Sequence, residues 1–147
     1  MIVPVVSRSA VMDAPAERIW DLVSDPHSLP RWWPRVQRVE EASPESWTKV
    51  LVSDRGKPVR ADYTRTVVEP PALLEWRQEL AESPFERMLS EARLRIEIER
   101  AQDDETEVTL TAVERLRGLA RLGSFMVRRA TRKRLDEALE RLALAVE

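Results

Sequence analysis

Three polar side chains stand where an alternating pattern calls for apolar ones, and together they form the one enzymatic constellation the sequence offers. Tyr63 and Arg65 lie on a segment in which Val59, Ala61, Tyr63 and Val67 share a face. Arg65 interrupts that face. A buried guanidinium there would bind a carboxylate or an enolate oxygen well, because its donors form a rigid fork. Glu114 follows Val108, Leu110 and Ala112 at the same two-residue spacing. If the alternation persists, its carboxylate faces a low-dielectric interior and can serve as an acid, a base or an anchor. The alternative, which a strand terminus favours, is that the strand ends or bulges and leaves Glu114 solvated beside an arginine. Tyr63, Arg65 and Glu114 would make the polar end of a mostly apolar pocket, able to move protons or polarise a carbonyl.

The walls of such a pocket come from aromatic and aliphatic residues. The chain has five tryptophans and one tyrosine. Trp33, Tyr63 and Trp76 offer flat apolar surfaces with a polar edge that orients a ligand. Leu94, Ile96 and Leu110 on the strands, with Phe125 and Met126 at the start of the last helix, complete the expected lining. The competing account is that these rings fill the core, and for Trp20 on the first helix that account is preferred. His27 follows Pro26 at the start of a short helix; its near-neutral ring could do acid–base work, but a surface histidine in a helix-capping turn explains it more simply.

Composition removes whole classes of function. There are no cysteines and one histidine, so thiolate sites, disulfides and multi-histidine metal centres are excluded and neither a metal nor a cofactor is expected. A balance of 24 basic and 26 acidic residues, net −2, argues against a nucleic-acid partner. No apolar run approaches the roughly 18 residues of a membrane span. The N-terminus lacks a basic start and an apolar signal region, so a soluble cytoplasmic protein is expected, built as a single domain over residues 1–147. Arg115 to Arg134 holds eight basic residues and no acidic one. A solvated helix face is the default there, partly answered by Asp136 and Glu137 four residues after Arg132 and Lys133. The functional readings of the run are acidic phospholipid or nucleic acid; the net charge argues against the second, and Leu119, Leu122, Phe125 and Met126 alongside favour a peripheral membrane contact. The oligomeric state is left open.

The elements that must position these residues are legible from periodicity. From about Gly123 to Val146, Val127, Thr131, Leu135, Ala138, Leu142 and Val146 recur at spacings of three and four, one apolar stripe on a long helix. Such a helix must lay its stripe on something. Before it, Ile2 to Met12 reads as a strand. DAPAERIWDLV follows as a short helix with Pro15 in its first turn. SDPHSLPRWWP is a second one, capped by Ser24 or Asp25 and kept short by Pro30 and Pro34. Strands are then expected over Val36–Glu41, Trp47–Ser53, Val59–Glu69, Leu74–Leu80, Arg93–Glu99 and Val108–Leu116, with a hairpin turn at DRGK. Ser83 to Glu91 reads as a short helix or a lid loop. Segregated strands and helices indicate α+β.

Residues 13 to 36, DAPAERIWDLVSDPHSLPRWWPRV, resemble the opening of the START-like, or SRPBCC, superfamily, in the style of its polyketide cyclase/dehydrase-type members. The matching positions are Ala14-Pro15, Ile19-Trp20, Ser24-Asp25, Pro30 and Trp32-Trp33. The element order extends the resemblance over the whole chain. It implies a helix-grip fold: a bent seven-stranded antiparallel sheet wrapped around the long C-terminal helix, two short helices after strand 1, and a cavity between sheet and helix. The function expected from it is binding of a small hydrophobic molecule, lipid-like or polyketide/aromatic. The alternatives are a polyketide aromatase/cyclase-like enzyme acting on a poly-β-ketone chain and a protein-interaction module with a filled core.

Overall fold

Alternation of apolar and polar side chains along seven strands builds one antiparallel sheet: β1 (Val5–Met12), β2 (Val36–Glu40), β3 (Ser46–Val52), β4 (Pro58–Glu69), β5 (Leu73–Glu79), β6 (Leu89–Arg100) and β7 (Thr106–Leu116). The structure is a computed structural model that describes residues 5–147, so the expected start of the first strand at Ile2 lies outside the described residues. The strand order is β1-β7-β6-β5-β4-β3-β2. Strands β2 to β7 form a meander, and β1 closes beside β7, with Val6 opposite Ala112 and Ala10 opposite Val108. The DRGK turn between β3 and β4 needs a left-handed residue, and Gly56 supplies it at φ 76° without a Cβ penalty.

Three helices complete the helix-grip architecture: α1 (Ala16–Val23), α2 (Leu29–Trp32) and α3 (Ser124–Val146). Pro15 stands just outside α1 as its extended N-cap rather than in its first turn. Asp25 caps the single 3-10 turn Pro26–Ser28 that leads into α2, accepting from the His27 backbone N–H at 3.0 Å. Thr131, Leu135, Ala138, Leu142 and Val146 are buried as the stripe requires, with Leu139 added, whereas Val127 is half-buried. Ser83 to Glu91 is not a helix: Ser83 to Met88 form a loop of turns between β5 and β6, and Leu89 already belongs to β6.

Long-range polar contacts fix how the helices sit. Arg141 on α3 donates to Pro30 O (2.9 Å) and Trp33 O (3.1 Å), satisfying carbonyls at the end of α2 that no helical N–H can reach. Arg18 on α1 does the same for Val146 O at 3.1 Å. A bidentate pair joins Arg8 on β1 to Asp136 on α3, at 2.7 and 3.0 Å. Being about half exposed, it orients the helix more than it stabilises it. Among the described residues, no helix is long and apolar enough to cross a membrane.

Candidate functional site

The concave face is not filled along its whole length. On β6 and β7 the inward pairs are Leu94 with Ala112, Ile96 with Leu110, and Ile98 with Val108. The last two pairs belong to a closed core with Ile19, Leu22, Leu135 and Leu142 from α1 and α3. Beyond Leu94 and Ala112 the side chains of sheet and helices no longer meet, and a cavity of about 320 Å³ opens between them, with Trp33 from the end of α2 and Arg134 from α3 among its lining. Leu94, Ala112, Leu51, Val59, Phe85 and Leu89 supply its aliphatic and aromatic surface, with Trp33 and Trp76 as flat walls.

The expected lining is therefore corrected in four places. Ile96 and Leu110 have the right parity but are wholly buried under the helices. Phe125 and Met126 are 70% and 74% exposed. With Val127 and Thr131 turned toward the sheet, the helical period points these two preceding residues away from it. Trp33, Tyr63, Trp76 and Leu94 do border the cavity.

The three candidate catalytic residues are not brought together. Glu114 continues the inward alternation of β7 and faces the cavity, where it accepts a hydrogen bond from Thr131 Oγ1 and lies 3.4 Å from Arg134 Nη2 through each carboxylate oxygen. Tyr63 also faces the cavity, and burial raises its phenol above the usual range, with Glu114 adding and Arg134 opposing. Arg65 goes elsewhere. Its Nη2 donates to Ser24 O at 2.6 Å, capping the C-terminal end of α1, and its guanidinium lies 5.5 Å from the Trp47 ring centre. Arg65 opposes Trp76 and so keeps the face of Tyr63, but further along it, where the end of α1 presents Ser24 O; a bulge at Thr66 then sets Val67 against Glu75, so Val67 does not share that face. His27 is exposed, its ring 3.3 Å from Asp25 in the capping turn.

The residue that sequence reasoning missed is Lys49. It is 2% exposed and borders the cavity from β3. Among the described residues it has no hydrogen bond and no ion pair; its ammonium lies 4.2 Å from the Tyr63 ring centre, 4.7 Å from Trp33 and 5.5 Å from Trp76. Burial, and secondarily the charge of Arg134, bring its pKa down from 10.5 to about 7. The signal was present in the strand: Trp47, Lys49 and Leu51 alternate onto one face. A second donor, Gln78 Nε2, is buried at the same cavity without a partner among the described residues. Trp47 stands behind this wall, stacked on Tyr63 at 6.2 Å and edge-on to Trp76 at 5.3 Å. The arrangement is an apolar chamber with two hydrogen-bond donors, Lys49 and Gln78, that lack acceptors among the described residues. Among those residues, too, no group of three His, Cys, Asp or Glu side chains is placed to hold a metal.

Comparison with known proteins agrees with this geometry at the level of fold. The profile of the family described as polyketide cyclase / dehydrase and lipid transport matches residues 4–147. Among curated proteins none matches. A START superfamily protein from Mycobacterium smegmatis superposes with a TM-score of 0.78 at 16% identity, over 97% of this chain and 96% of the other. A protein from Thermus thermophilus gives 0.77 at 20%, over 97% of both chains. The di-domain ARO/CYC BexL from the BE-7585A biosynthetic pathway gives 0.77 at 22%, over 95% of this chain but 45% of that one. The chain thus spans about half of that larger protein.

Proposed function

The chain belongs to the polyketide cyclase/dehydrase and lipid transport family, and from that premise we propose that it binds a small hydrophobic molecule, lipid-like or polyketide/aromatic, between the sheet and α3. The observation that carries this is the cavity itself: about 320 Å³, lined mostly by apolar and aromatic side chains, with polar groups such as Lys49, Gln78 and Glu114 set among them. That is the composition of a small-molecule site, at the lower end of the usual size range. A filled interaction module would have no such space. Cyclase chemistry on a poly-β-ketone chain would draw on Tyr63, Arg65 or Glu114 to move protons or polarise a carbonyl; with Arg65 engaged at α1 and Glu114 held by Thr131 and Arg134, binding is the better-supported role.

Native mass spectrometry of the purified protein, followed by solvent extraction, tests the proposal. The expected result is a discrete added mass that yields a lipid or an aromatic compound. A bare mass, with no thermal shift across fatty acids, sterols and aromatics, would overturn it.

A second proposal rests on a separate observation. Leu119, Leu122, Phe125 and Met126 are 70–86% exposed around the Gly118–Gly123 turn, and Arg117, Arg121 and Arg129 stand exposed among them. Exposed apolar side chains interspersed in sequence with exposed cations fit an anionic lipid surface. Arg117 N donates to Met88 O at 2.8 Å, so this patch adjoins the segment that carries Phe85 and Leu89 into the cavity wall. The protein is expected to sediment with phosphatidylserine-containing vesicles but not with neutral ones. Leu122→Asp and high salt should each release it; indifference to lipid charge would refute the contact.

A further inference from the structure

We infer that Lys49 is the anchor for an anionic oxygen head group, so that the cavity takes a small apolar carboxylic acid in preference to a neutral molecule of the same shape. This rests on the ligand-binding reading above and narrows its chemistry. A buried ammonium ordinarily has a carboxylate or several acceptors around it, because leaving it unpaired costs several kcal/mol of desolvation. Lys49 has three aromatic faces instead, and no acceptor among the described residues. The rings hold the ammonium in place by their quadrupoles, while the side facing the cavity is left for a ligand.

The other charged groups at the cavity do not supply the missing anion. Glu114 on β7 is held by Thr131 and Arg134. Arg134 on α3 adds positive charge. Arg35 pairs with Asp54 at the rim, and Arg93 pairs with Glu91 and Glu75. Tyr63 keeps its proton. Gln78 Nε2, buried and unpartnered among the described residues, offers a second donor to the same kind of acceptor. Two donors facing an apolar chamber select a ligand with one acceptor-rich end, and a carboxylate meets both with charge-assisted hydrogen bonds.

The linkage follows from the same geometry. With the amine near pH 7 in the empty protein, a bound carboxylate restores its proton, so binding takes up protons and weakens as pH rises. A ligand carboxylic acid stays ionised throughout this range.

The experiment is titration calorimetry with 2-naphthoic acid and decanoic acid, each against its primary alcohol, on wild-type protein and Lys49→Met. The acids are expected to bind about tenfold or more tightly than the alcohols. Their affinity should fall roughly tenfold from pH 6 to pH 8, with about half a proton taken up at pH 7 in buffers of different ionisation heat. In Lys49→Met the acid preference and the pH slope should vanish while alcohol binding persists. Equal binding of acid and alcohol by the wild type, or a pH slope retained in Lys49→Met, overturns the anchor and leaves the hydrophobic cavity standing. Binding of neither overturns the cavity reading and the anchor with it.

Discussion

Lys49→Met raises the stability of the unliganded protein by about 2–4 kcal/mol at pH 7, in place of the loss expected from altering a buried residue. Methionine matches the length of the lysine stem and removes a charge that the fold buries without a counter-ion among the described residues. The accompanying pH profile is the sharper test. Because the amine's pKa drops from 10.5 to about 7 on folding, the unfolded chain binds more protons than the native one between about pH 7 and pH 10. Stability rises with pH wherever the unfolded state is the better proton binder, by about 2 kcal/mol between pH 7 and pH 9. Above pH 10 Tyr63 works in the opposite direction, since its phenol resists ionising in the fold but not in the unfolded chain. Urea unfolding of both proteins at pH 7, 8 and 9 should show the gap between them narrowing as pH rises. Parallel profiles would mean that Lys49 is not the unpaired cation described. A variant that is more stable yet has lost its preference for acids would mark a residue kept for binding rather than for folding.

Trp76→Ala is expected to cost about 3–5 kcal/mol, the range for truncating a buried tryptophan. The indole is 2% exposed, packs edge-on against Trp47 at 5.3 Å and forms a wall of the cavity. Neighbours cannot readily collapse into the vacated space: one side is the cavity, and the other is held by the Trp47–Tyr63 stack. The variant also removes one of three rings around the Lys49 ammonium. Chemical denaturation measures the first effect. A loss below about 1 kcal/mol would show that Trp76 is a mobile flap and not a wall.

Much of this was legible in the sequence, because the informative patterns are local. The three- and four-residue recurrence from Val127 to Val146 specifies which side of α3 is buried. Two-residue alternation places Leu94, Ile96, Leu110, Ala112 and Glu114 on the inner face of their strands. Pro30 and Pro34 limit α2, and the Ala-Pro, Ile-Trp and Trp-Trp steps carry the family resemblance.

Parity determines the side of the sheet a residue faces, but not what stands opposite it. Ile96 and Leu94 are indistinguishable by alternation; one is sealed in the core and the other borders the cavity, because that depends on which side chains the helices bring opposite each of them. Alternation makes Arg65 a partner for Tyr63, yet the end of α1 offers it the unsatisfied carbonyl of Ser24, forty-one residues earlier in the chain. Alternation sets Lys49 on the face of Trp47 and Leu51, but it does not say that three rings close around it. Only the convergence of Trp33 from the end of α2, Tyr63 from β4 and Trp76 from β5 encloses it. Patterns that repeat within a few residues specified the elements, their buried faces and the α+β class, and the resemblance carried by residues 13 to 36 implied the helix-grip arrangement of them. The tertiary structure alone decided where the cavity opens and which charge it holds, since both depend on distant segments meeting around a space that no single segment contains.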